Sequence, residues 1–288
     1  MKNVLVRLKE YSSQANGAEK FLIRFILEHP EDAVKLSVHA LAAQTYTSAA
    51  TIIRLCRKLG FEGYKDMIAC LNYENALRSS QGRDISTEID QHDSLKDVVD
   101  KVTYRSIQAL EDTRKLVDID ELENCVKILG EANTIGLFGI GSSLLAARDM
   151  YLKFLRLNKS CICNDDLHSQ IVCAANLKFS DAAVIFSYSG LTKEMVELAD
   201  ILNQKKVPLI TVTRFGENLL TSRADHRLYV SAKELLVRTA ATASRISQLN
   251  IIDILFTAYV KNDYDNYLKQ LKSNIIGKEQ VTNKGGTL

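Results

Sequence analysis

Two stretches in the second half of the chain concentrate the residue types that can hold a phosphate. Ser187-Tyr188-Ser189-Gly190-Leu191-Thr192 puts the hydroxyls of Ser187, Ser189 and Thr192 and one glycine into a single short loop. Gly139-Ile140-Gly141-Ser142-Ser143 combines two glycines with two serines. Hydroxyls and backbone N–H groups can surround a phosphate monoester without any cation. A helix N-terminus adds unpaired N–H groups and the positive end of its dipole. That chemistry is reversible recognition, since nothing in it attacks phosphorus. Neither stretch has the lysine of a P-loop or carboxylates to hold Mg2+. The glycine stretch is not a dinucleotide fingerprint, because Leu144 stands where a third glycine would be and no ribose-reading acid is placed at the end of the next strand. Tyr188, between the serines, has no assigned part.

Both stretches need a strand before them and a helix after them. Apolar strand-like runs (134–138, Cys161-Ile162, 182–186, 208–212 and 226–230) alternate with helical patterns near 143–157, 193–204 and 240–260. Alternation at this length predicts a parallel sheet with helices on both faces, a flavodoxin- or Rossmann-like sandwich. Two small-residue loops at the carboxyl ends of strands in one sheet favour a shared ligand crevice.

The first 77 residues read differently, as an all-α piece. Phe21, Leu22, Phe25 and Ile26 form a helical stripe that stops at His29-Pro30. Ser37 caps a short helix through Ala43, and Gln44-Thr45-Tyr46 makes a tight turn. Ser48 caps a longer helix that Gly60 closes. Two short helices meeting at a tight turn are the organisation of a helix-turn-helix, which lays its second helix in the major groove of DNA. The residues against the base edges would be Ser48, Ala49, Ala50 and Thr51, with Arg54 one turn further along the same face. The net charge of the whole chain is only +2, yet between residues 44 and 65 Arg54, Arg57, Lys58 and Lys65 face a single acid, Glu62. A local basic surface of this kind supplies phosphate affinity. Ser37 and Tyr64 complete the set of candidate DNA-contacting residues.

Composition bounds the rest. With 46% hydrophobic and 25% charged residues, the chain is neither disordered throughout, collagenous nor a disulfide scaffold. Its longest apolar runs, such as Ala182–Phe186, fall far short of the roughly 18 residues of a membrane span. Met1–Arg7 meets charge before a signal-peptide core can form, so a cytoplasmic protein with no membrane partner is expected. The six cysteines lack metal spacing and read as reduced, buried thiols. No metal and no cofactor are expected. The polar stretch Ser79–Thr87 is the best linker. It divides the chain into 1–77, a linker with connecting helices over 78–124, a sandwich domain over 125–265 and a helix and tail over 266–288.

The run Ser48–Lys65, with Arg54–Lys65 its most specific part, resembles the RpiR-type helix-turn-helix of bacterial regulators. Gly139-x-Gly141-Ser142-Ser143 and Ser187-x-Ser189-Gly190-x-Thr192 resemble the two loops of the SIS (sugar isomerase) phosphosugar-binding domain. Ala243–Leu249, Ile252-Asp253 and Leu255-Phe256 fit the regulator version of that domain. The resemblance covers nearly the whole chain apart from the linker and the tail after about Lys272. It implies a repressor of carbohydrate-metabolism genes that binds operator DNA as a homodimer or tetramer and responds to a sugar phosphate. In that reading Ser187, Ser189, Gly190 and Thr192 hold the phosphate, helped by Gly141, Ser142 and Ser143, and Glu234 and Arg238 lie near the sugar. Leu157-Asn158 departs from the family, which often has glycine there; asparagine can also occupy a left-handed cap.

A phosphosugar isomerase is the alternative, its helical N-terminal domain then making protein contacts only. Isomerisation needs a base at the sugar carbons. Glu194, Glu234 and His168 are the candidates, while no catalytic residue is assigned in the regulator reading. In a regulator, the linker and the helix from Ser94 to Leu116 would carry ligand occupancy to the DNA-reading head.

Overall fold

A computed structural model describes residues 3–78, 89–232 and 241–273. The linker Ser79–Thr87, Glu234, Arg238 and most of the tail lie outside the described residues. The N-terminal piece folds as six helices: α1 (Val4–Tyr11), α2 (Gly17–Glu28), α3 (Pro30–Ala33), α4 (Val38–Gln44), α5 (Ala49–Lys58) and α6 (Tyr64–Arg78). Side chains cap most of their N-termini. Asn3 accepts from Val6 N, Asn16 and Glu19 form a capping box, and Ser37 and Ser48 accept from Ala40 N and Thr51 N. Pro30 does end α2, but it also starts α3 at the first helical position, where its missing N–H costs nothing. Leu22, Ile26, Leu41, Ile52, Leu55, Leu59 and Met67 fill the core between these helices.

The second piece opens with α7 (Leu95–Leu116) and α8 (Ile119–Glu131), then alternates β1 (Ile135–Gly139), α9 (Ser142–Leu155), β2 (Cys161–Cys163), α10 (Leu167–Asn176), β3 (Ala182–Phe186), α11 (Lys193–Gln204), β4 (Leu209–Arg214) and β5 (His226–Val230). It closes with α12 (Thr242–Asn262) and α13 (Tyr264–Ser273). The expected strands are all present, each within two residues of its expected bounds. The sheet order is β2-β1-β3-β4-β5 and every pairing is parallel. Strand β3 is buried along its whole length. Its side chains alternate: Ala182, Val184 and Phe186 pack toward α8, α9 and α12, and Ala183 and Ile185 toward α10 and α11. Asn158, at the departure from the family, adopts φ +56°, the left-handed conformation that glycine commonly supplies.

The two pieces touch through α1. Glu10 is buried and accepts a hydrogen bond from Ser231 Oγ at 2.5 Å, just beyond β5. Thr113 of α7 and Ser247 of α12 bind the same Ser231 backbone. Ser13 accepts from Arg214 Nη1 at 2.9 Å. Burial, with a smaller contribution from Asp112 and against the pull of Ser231 and Arg214, pushes the Glu10 carboxyl up to about 7.

A carboxyl raised from 4.5 to about 7 holds its proton more tightly in the folded state. Its contribution to stability is therefore complete below the unfolded value and falls as pH rises to the folded one. Glu10→Gln keeps an oxygen for Ser231 and removes the titration. It is expected to raise stability at pH 8 by up to roughly 3 kcal/mol. Denaturant unfolding of parent and variant at pH 5 and pH 8 measures it; a parent no less stable at pH 8 relative to the variant contradicts the assignment.

Candidate functional site: a hydroxyl-lined crevice and a groove-reading helix

The chain leaves β1 toward β2 on one side and reaches β3 on the other, so the carboxyl ends of β1 and β3 open a crevice where the strand order reverses. Both small-residue loops stand there. Between them lies a cavity of about 160 Å³ lined by Ile140, Ser142, Ser143, Phe186, Ser187, Tyr188, Ser189, Thr192, Met195, Ala241 and Ser244. Of the residues expected to hold an effector, Ser142, Ser143, Ser187, Ser189 and Thr192 line it directly. Gly141 and Gly190 shape its loops at φ +60° and +64°.

Among the described lining residues, helix N-termini and not charged side chains face the cavity. Asn, Ser or Asp side chains cap α1, α2, α4, α5, α7, α8 and α10. The helices that begin at the cavity, α9, α11 and α12, have no side-chain cap. Thr192 stands at the N-cap of α11, but its hydroxyl lies 3.2 Å from Ser187 Oγ instead of closing the helix. Three N-termini without a side-chain cap thus surround seven hydroxyl-bearing residues, an arrangement suited to an anion. Among the described lining residues there is no carboxylate and no imidazole. Glu194 sits in the first turn of α11 and His168 is exposed at the start of α10, and neither lines the cavity.

Residues that carried no signal in the sequence hold these loops. Strand β2 pairs with β1 only as far as Leu137, which leaves the Gly139 backbone without a strand on that side. The Gln170 amide substitutes for one: Oε1 accepts from Gly139 N at 3.2 Å and Nε2 donates to Gly139 O at 3.0 Å. Gln248 of α12 donates to Ser143 Oγ at 3.2 Å. Tyr188 has a part after all, its hydroxyl donating to Ala232 O at 2.6 Å and tying the β3 loop to the segment after β5. A glutamine in an amphipathic helix looks like any solvated polar residue until its partner is known.

On the helical side, Ala50, Arg54 and Arg57 are exposed at helical spacing along α5, opposite the buried Ile52, Leu55 and Cys56. Thr51 Oγ1 lies 2.9 Å from Ser48 Oγ and accepts from Arg54 Nη2 at 3.4 Å, which orients the arginine. Ala49 is half-buried, and Ser48 and Lys65 are exposed. Three expected contacts have other partners. Ser37 caps α4, Tyr64 donates its hydroxyl to Leu36 O at 3.0 Å, and Lys58 pairs with Glu19 at 2.9 Å and Tyr11 OH at 3.1 Å. Tyr46, at the apex of the turn, is 93% exposed with φ +53°, a position the turn signal alone did not single out. Burial pushes the Cys56 thiol beneath α5 up to about 12. Among the described residues no group of His, Cys, Asp or Glu could hold a metal ion, and no helix is long and apolar enough to cross a membrane.

A groove-reading helix pair joined to a phosphate-shaped crevice defines a ligand-responsive DNA-binding protein. Comparison with known proteins agrees in both parts. Residues 2–78 match the helix-turn-helix domain of the rpiR family, and residues 128–258 match the SIS domain. An uncharacterised HTH-type transcriptional regulator of Caldanaerobacter subterraneus is 34% identical over 285 residues, 98% of this chain and 100% of that protein. The HTH-type transcriptional regulator HexR of Pseudomonas aeruginosa is 28% identical over 281 residues, 96% of both chains. The solved structure of Vibrio vulnificus NanR complexed with ManNAc-6P matches with a TM-score of 0.58 and 26% identity, covering 94% of this chain and 96% of that one. The chain belongs to the RpiR family of HTH-type transcriptional regulators with a C-terminal SIS domain.

Gly190 gives the crevice its sharpest test. A Cβ there would lie 2.1 Å from Asn218 Oδ1, and φ +64° is already costly for any other residue. Gly141, at φ +60° and ψ −126°, is also in a conformation that favours glycine, but a Cβ there meets open space. Gly190→Ala is expected to cost about 1–2 kcal/mol of stability from the backbone alone, and to weaken anion binding much more than Gly141→Ala. Isothermal calorimetry with a sugar phosphate measures the difference; equal losses would place the anion elsewhere.

Proposed function

We propose that this protein is a homo-oligomeric, cytoplasmic repressor of carbohydrate-metabolism genes that releases or rearranges its operator when a sugar phosphate enters the SIS crevice. The observation that carries this reading is the convergence of three uncapped helix N-termini on a cavity lined by serine and threonine hydroxyls. That is recognition chemistry for a phosphate monoester, and the described lining offers no base for proton transfer at a sugar carbon. The ManNAc-6P complex of NanR supports a phosphosugar as the ligand class. The helix-turn-helix domain and the transcriptional-regulator relatives support binding in place of catalysis. Ser187, Ser189 and Thr192, with Ser142 and Ser143, take the phosphate, and Glu234 and Arg238 contact the sugar. Double-stranded DNA is read by Ser48, Ala50, Thr51 and Arg54, with Arg57 and Lys65 on phosphates. Residues 1–77 form the DNA-binding unit and 125–265 the sensor, and the intervening linker and α7 join them.

A ligand moves such an equilibrium only through different affinities for two arrangements. Operator binding and ligand binding are therefore tested together on the full chain. Arg54→Ala is expected to weaken operator affinity about 10- to 100-fold, the worth of a good base contact. Ser189→Ala is expected to weaken the best ligand of a sugar-phosphate panel about 10-fold, as loss of a hydrogen bond to a charged group does. Fluorescence anisotropy and calorimetry read the two. Turnover of a sugar phosphate, with no DNA binding at any salt concentration, would select the isomerase instead.

A further inference from the structure

Between the crevice and the DNA-reading helix runs a line of direct contacts that involves neither the linker nor α7. It starts at Gly190, whose carbonyl accepts from Leu220 N at 3.1 Å and whose Cα faces the Asn218 side chain too closely to admit a Cβ. Asn218 in turn holds its own loop together, Oδ1 accepting from Leu220 N at 3.1 Å and Thr221 N at 2.9 Å. At the near end of that loop stands Phe215, buried against the helical core. The guanidinium of Arg7, from α1, lies over the Phe215 ring at 4.8 Å and near the Phe61 ring at 5.7 Å. Arg7 Nη1 donates to Leu59 O at 2.7 Å, and Leu59 is the C-cap of α5.

Two features show that Arg7 is not placed there for stability alone. Its Nε is buried with no hydrogen-bond partner, an uncompensated cost that a smaller apolar residue would avoid. Its stacking partner comes from the SIS domain and its hydrogen-bond acceptor from the helix-turn-helix, so one planar side chain fixes both at once.

We infer that Arg7, seated on Phe215, is the positioning residue through which the ligand loop sets the placement of α5. The inference rests on the reading that the crevice binds a phosphosugar and α5 reads DNA. A phosphate drawing on the backbone of the Gly190 turn pulls on Leu220 and Asn218, which touch that turn directly. The shift reaches Phe215 through the same loop, and Arg7 transmits it to the C-terminal end of α5. Arg7 and Phe215 touch neither DNA nor ligand, so their loss should leave both affinities and remove only the connection between them.

The test uses the full chain, a labelled operator, and N-acetylmannosamine 6-phosphate or glucose 6-phosphate, whichever binds the parent more tightly. In the parent, saturating ligand is expected to change operator affinity about 5- to 150-fold. Phe215→Leu keeps an apolar side chain and removes the ring; Phe215→Tyr keeps the ring. The leucine variant should bind operator alone and ligand alone within about threefold of the parent, with its ligand response reduced to under about twofold, and the tyrosine variant should restore the response. Arg7→Lys, which keeps charge but not the planar fork, should behave like the leucine variant. A parent that responds alongside leucine and lysine variants that respond equally overturns the tie alone. A parent that binds operator but ignores both sugar phosphates overturns the functional reading and the tie with it.

Discussion

Parallel pairing of β1 with β3 is the constraint on which the rest of this molecule depends. The register runs from Ile135 opposite Ala182 to Gly139 opposite Phe186, so the two strands end level with each other. Whatever follows each strand must then leave from the same edge of the sheet. The chain goes one way from β1 and arrives from the other side at β3, and a gap is left between the loops. Serines placed just after both strands meet across that gap. Shifting one strand by a residue would turn its side chains to the opposite face and separate the hydroxyls.

The described lining of the gap carries no charged side chain, and three helices without a side-chain cap start there. Seven other helices are closed by Asn, Ser or Asp, each cap worth about 1 kcal/mol, although α3 is not. At the crevice the hydroxyls that could cap α11 are turned to each other, as Ser187 and Thr192 are, and the N–H groups stay available. Stability forgone at these helix ends is what an incoming anion can recover. A neutral protein surface with such a pocket suits a ligand that must come and go, since no lysine or arginine among the described lining residues holds it permanently.

The helical domain is joined to this sheet more intimately than two beads on a linker. Helix α1 belongs to the core of the helix-turn-helix, yet its Arg7 and Glu10 reach Phe215 and Ser231 on the sandwich. Arg7 also caps the last turn of α5. Helix α1 thus touches both the end of α5 and the sensor domain, through contacts spanning more than two hundred residues of sequence.

Much of this was legible in the residues alone. Alternation of apolar strands with helical patterns, the Ser37, Ser48 and Gly60 punctuation and the two small-residue loops are local signals. Local signals survive translation into structure because period and capping act within a few residues. They placed the second helix of the helix-turn-helix, the five strands and the hydroxyls of the crevice. They did not show that Gln170 would stand in for a missing strand, that Tyr188 would bind Ala232, or that Lys58 and Tyr64 would be engaged inside the protein. Nor could they connect Arg7 with Phe215. Those roles come from groups distant in sequence brought to hydrogen-bond or ring distance by packing, and a side chain's composition and neighbours carry no information about a partner that only the fold supplies.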